Sequence, residues 1–114
     1  MLKVSILVTR RADLTMEAFR AYWKEKHGPL FSSQPEVKLH VRKYAQEHTG
    51  PKAPDGFAVA PFDGIAEIWF DDMAGFLGLF ASKTYEEIIK PDEMKFVDRS
   101  KALFMFTETV PMIG

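Results

Sequence analysis

The chain has 114 residues, 15 basic and 16 acidic side chains, a formal net charge of −1 and no cysteine. That length fits one domain, spanning 1–114, and the charge balance supplies no basic field for a nucleic-acid partner. The absent cysteine excludes disulfides, thiolate catalysis and zinc–sulfur sites, and no apolar run reaches the roughly 18 residues that span a bilayer, so a cytoplasmic protein is expected.

Lys3 to Thr9 is aliphatic and β-branched, and reads as a first strand ended by Arg10-Arg11. Thr15 can cap a helix from about Met16 to His27, with Glu17 in its first turn. At helical spacing Met16, Phe19, Trp23, His27 and Leu30 share one stripe. His27 therefore falls in line with core aromatics, just before Gly28-Pro29, which should stop the helix.

Val37 to His48 reads as one long strand, with His40, Arg42, Tyr44, Gln46 and His48 on one side. Thr49 to Pro61 carries Gly50, Pro51, Pro54, Gly56 and Pro61, and reads as a long loop of the kind that often serves as a lid or binding loop. Ile65 to Phe70 is a third strand. Asp72 can cap a second helix carrying Phe76, Leu79 and Phe80, two short helical pieces flank Pro91, and Ala102 to Val110 is the last strand.

The order β-α-β-β-α-β predicts an α+β ferredoxin-like sandwich, one four-stranded antiparallel sheet with helices on one face. Several strands carry apolar residues on both sides: Leu7 opposes Val4 and Ile6, and Leu103 and Met105 oppose Phe104 and Phe106. An uncovered second face should be polar, so a homodimer packed through the sheet faces is expected.

Four stretches resemble the EthD-like family of dimeric α+β barrel proteins: Phe19-Arg-Ala-Tyr22-Trp23 into Lys26-His27-Gly28-Pro29-Leu30, Arg42 to His48, Phe62 to Phe70, and Asp92 to Asp98 ahead of the final strand. The resemblance implies an oxidoreductase label and a small-molecule pocket between sheet and helices.

His27 is the leading site candidate, because histidine titrates near neutrality and can act as a general base or orient a partner. Its bland alternative is a helix-terminal histidine that satisfies nearby carbonyls. Tyr44 and His48 are the other candidate catalytic groups. Phe19, Tyr22, Trp23, Gln46 and Trp69 are candidate substrate contacts, alongside ordinary core roles for the aromatics. A metal set of His27, His48 and Glu67 lacks close ligand spacing, so no metal is expected. Glu67, a carboxylate in an apolar strand, needs a cation such as Arg42 or Lys43. No nucleotide motif occurs, and no cofactor is expected.

Three functions follow. The first is an EthD-like enzyme acting on an apolar or aromatic oxygenated compound, monooxygenase-like under the family label. The second is a cofactor-free cyclase, isomerase or dehydratase using histidine acid–base chemistry. The third is a non-catalytic binding or accessory protein.

Overall fold

The computed structural model describes residues 1–114. Its elements are β1 (Leu2–Val8), α1 (Met16–Tyr22), α2 (Gly28–Ser33), α3 (Pro35–His40), β2 (Val41–His48), β3 (Gly64–Phe70), α4 (Met73–Phe80), α5 (Lys90–Glu93) and β4 (Leu103–Glu108). Turns of π-helix cover Trp23–His27 and Tyr85–Ile89. All strand pairs are antiparallel in the order β2-β3-β1-β4, which is the expected ferredoxin-like sheet.

Local chemistry sets the helix starts. Thr15 accepts from the Ala18 N–H and Asp72 from the Gly75 N–H, so both expected caps form. Gly28-Pro29 does not stop the first helix. A proline lacks an N–H and its ring crowds the carbonyl four residues back, so the backbone widens into a π turn closed by the Gly28 N–H on the Trp23 carbonyl. Pro29 then begins α2, where a missing donor costs nothing. Pro91 follows the second π turn in the same way.

The strand expected from Val37 begins only at Val41. Pro35 occupies the first turn of α3, and the alternation of Val37 with Leu39 belongs to that short helix, Val37 buried and Leu39 exposed. Glu67 pairs with Lys3 at 2.7 Å rather than with Arg42 or Lys43. The two are on adjacent strands of the open sheet face, whereas a register shift between Val41 and Lys43 turns Arg42 toward Asp71.

Between sheet and helices lies one apolar core in which Val4, Phe19, Phe70, Leu79 and Ile89 are fully buried. Trp23 presses so closely on β3 that a Cβ at Gly64 would sit 2.5 Å from its ring and 2.7 Å from the Glu47 carbonyl. Only glycine fits there. On the open face Leu7, Ile65, Trp69, Leu103 and Met105 alternate with Lys3, Glu67 and Lys43, and Leu103 and Met105 are each 57% exposed. No helix is long and apolar enough to cross a membrane.

Candidate active site

Both π turns contribute to one cavity. The first brings His27 to its wall and the second brings Tyr85. A π turn spaces residues more widely than an α turn, so the buried stripe continues as Phe19, Trp23, His27 and Phe31, with Phe31 in place of the expected Leu30. Ile6, Ala66 and Ile68 of the sheet form the floor, and Phe96 closes the helical side. Thirteen of sixteen lining residues are hydrophobic and the cavity volume is about 120 Å³. That is close to the ~150 Å³ that accommodates one benzene ring, so the ligand it fits is small and mostly apolar.

The polar groups on the wall fall into two sets. In the first, His27 is only 6% exposed, and its Nδ1 lies 2.8 Å from Oδ2 of Asp92, itself 7% exposed. A carboxylate only accepts, so Nδ1 carries the proton. The other nitrogen, Nε2, has no protein partner, and its lone pair is left to a ligand. Asp92 also accepts from the Tyr22 hydroxyl at 2.5 Å on Oδ1, and the exposed Lys95 ammonium stands 3.8 Å away as an ion pair. Burial pulls the His27 pKa below its ordinary value and outweighs the opposite pull of Asp92. Burial and the Asp92 charge push the Tyr22 phenol up to about 12, so it remains a donor.

The second set is Tyr85, Glu93 and Arg99. The Tyr85 hydroxyl donates to Glu93 Oε1 at 2.8 Å, and Arg99 Nε donates to the same oxygen at 3.3 Å. Burial, the largest influence, raises the Glu93 pKa, against the hydrogen bond from Tyr85 and the charge of Arg99. Asp92 and Glu93 are adjacent in α5, yet one turns toward α1 and the other toward Tyr85.

Among the residues singled out in the sequence, the structure brings His27, Trp23 and Tyr44 to the cavity. Tyr44 accepts from Gln46 Nε2 at 2.9 Å, which leaves its own proton free to be given to a ligand oxygen. Gln46 stands behind it and also donates to the Trp23 carbonyl; a side chain at Gly28 would meet that amide at 2.9 Å. His48 is outside the wall, stacked on Trp23 at 4.5 Å and bonded to Gln46 at 2.8 Å. Phe19 lies beneath, against Trp23 and Phe96. Tyr22 reaches the site through Asp92. Trp69 is on the opposite sheet face, with Lys43 4.6 Å from its ring centre. Glu67 is there too, so His27, His48 and Glu67 are not assembled as a ligand set. The long loop contributes no lining residue.

Asp92, Tyr85, Glu93 and Arg99 were not anticipated. The one available signal was the pair of carboxylates directly after Pro91, next to a predicted helical piece.

A family model described as the EthD domain matches residues 11–100. A "Conidial pigment biosynthesis dehydratase EthD" from Metarhizium robertsii is 25% identical over 111 residues, covering 90% of this chain and 78% of that protein. An ethyl tert-butyl ether d (ethd) family protein from Bacillus halodurans superposes with a TM-score of 0.70 at 19% identity, over 96% of this chain and 99% of that one. A dimeric ferredoxin-like protein from Bacteroides fragilis superposes with a TM-score of 0.61 at 13% identity, over 95% of each chain.

Proposed function

The chain belongs to the EthD domain family, and from that premise we propose that it is a small-molecule enzyme in which His27, oriented by Asp92, moves a proton on an apolar or aromatic oxygenated substrate. The observation that carries this is the buried imidazole on a cavity wall, with Nδ1 tied to a carboxylate and no protein hydrogen bond at Nε2. A base so arranged is fixed in one tautomer, and the carboxylate stabilises the imidazolium formed when it takes a proton. Tyr44 supplies a donor for the carbonyl or hydroxyl oxygen of the substrate. Removal of a proton next to a carbonyl, followed by loss of a β-hydroxyl, is a dehydration. The dehydratase named among the relatives supports that reaction class over the monooxygenase-like one. The test uses cyclohexanone, a single ring, in heavy water: the enzyme should catalyse deuterium uptake beside the carbonyl, and His27→Asn should lower it by about 10²-fold or more. Failure of the native protein to accelerate uptake would contradict the reading.

The working form in this proposal is a homodimer joined through the open sheet faces. Exposed Leu103 and Met105, with Leu7, Ile65 and Trp69 beside them, form an apolar set that a second copy would cover. Stable interfaces bury roughly 1,200–2,000 Å² in total, a requirement that a whole sheet face can meet. Light scattering should give about twice the 13.0 kDa chain mass. The double substitution Leu103→Lys with Met105→Lys should shift the protein toward monomer. A native protein of 13.0 kDa at micromolar concentration would contradict the dimer.

A further inference from the structure

We infer that Glu93 is a second proton-transfer group of the cavity, a general acid that protonates the departing oxygen while His27 takes the carbon-bound proton. The inference rests on the functional reading above and extends it to a residue pair outside the His27–Asp92 set.

Hydrogen-bond geometry carries the argument. Both donors that reach the Glu93 carboxyl, the Tyr85 hydroxyl and Arg99 Nε, fall on the same oxygen, Oε1. Oε2 has no protein donor, and Glu93 lines the cavity with its side chain 20% exposed. In a neutral carboxyl the carbonyl oxygen accepts, as Oε1 does here from both donors, and the other oxygen is an O–H donor. The arrangement fits a proton on Oε2, available to a ligand.

The charged and titratable surroundings agree. Asp92, next along the chain, is an anion that disfavours a second negative charge. Arg99 is the opposing cation; its side chain is 39% exposed, which weakens its field through solvent screening. Tyr85 is a neutral donor whose pKa is raised by burial. Across the cavity stand neutral His27 and Tyr44, and the remaining wall is apolar. Lys90 and Lys95 are engaged by Glu86 and Asp92. Burial is the largest single influence on Glu93, and it favours the protonated acid.

The step balances. Nε2 of His27 takes the proton beside the carbonyl, the released electron pair forms the carbon–carbon double bond, and the C–O bond to the β-carbon breaks. The departing hydroxyl takes the Glu93 proton and leaves as water. His27 then holds one proton more and Glu93 one fewer, and a proton passing to Glu93 through solvent restores both. Tyr85 and Arg99 act as positioning residues that fix which oxygen faces the cavity.

Two measurements test this. Infrared spectroscopy of the native protein at neutral pH should show one protonated-carboxyl stretch that vanishes in Glu93→Gln. Its absence from the native protein, or its survival in the variant, would overturn the inference. In turnover, Glu93→Gln should lower elimination of water from 3-hydroxycyclohexanone by about 10²-fold or more, while deuterium uptake by cyclohexanone changes only a few-fold. Equal losses in both assays would overturn the role as acid. Loss of uptake in His27→Asn is a separate outcome, so failure of the His27 reading and failure of this one are distinguishable.

Discussion

Replacing His27 by Asn should lower water elimination and deuterium uptake by about 10²–10⁴-fold, with the fold intact, since general-base catalysis is worth that much. Asparagine is the informative replacement because its amide can still donate to Asp92 where Nδ1–H does now. What disappears is Nε2, the nitrogen without a protein partner. An unchanged thermal transition with lost turnover assigns the loss to that atom. The pH profile follows from the same burial. Solvent exclusion lowers the His27 pKa below its ordinary value near 6.5, so the base is already neutral at physiological pH. The acid limb of kcat/KM should lie below that value. Retention of turnover within a few-fold in His27→Asn would remove the base from the mechanism.

Asp92→Ala should destabilise the protein by about 3 kcal/mol, read from chemical denaturation near neutral pH. It strands two groups, the Tyr22 hydroxyl and the His27 Nδ1–H, and a stranded buried donor costs about 1–3 kcal/mol. Asp92→Asn should lose much less stability, because the amide oxygen still accepts from one of them. It should still lose activity, because a neutral amide neither fixes the tautomer nor stabilises the imidazolium. The stability of the native protein also depends on His27 titration. Its folded pKa is depressed, so the unfolded chain binds a proton at higher pH than the folded one. Stability is then fully held above the unfolded value near 6.5 and is lost as pH falls through the lower folded value. If Asp92→Ala and Asp92→Asn proved equally stable, Asp92 would not be holding this network together.

The sheet was legible in the sequence because its evidence is local: alternating β-branched runs, caps at Thr15 and Asp72, and turn residues between them. His27 was legible because it shares a stripe with Phe19 and Trp23. The stripe's continuation to Phe31 was hidden, since an even α-helical period cannot anticipate the wider turn that Pro29 imposes. α3 was hidden because Val37 and Leu39 alternate like a strand over a segment too short for period to decide. The partner of His27 was least visible. Asp92 is 65 residues away, and only the packing of α5 against α1 brings them together. Trp69 and His48 show the converse: both are aromatic rings on strands bordering the core, yet Trp69 takes the open face and His48 the outer side of Trp23. Which face and which end a strand residue serves is set by register, which local pattern constrains only in part.

In the proposed mechanism His27 rests as a neutral base with its proton on Nδ1 and its lone pair on Nε2. Nitrogen-15 NMR of histidine-labelled protein across pH reads this directly. His27 should show the Nδ1–H tautomer at neutral pH and titrate below its ordinary value, and Asp92→Asn should loosen the tautomer preference. A His27 ring that is an imidazolium at neutral pH, or that carries its proton on Nε2, would contradict it.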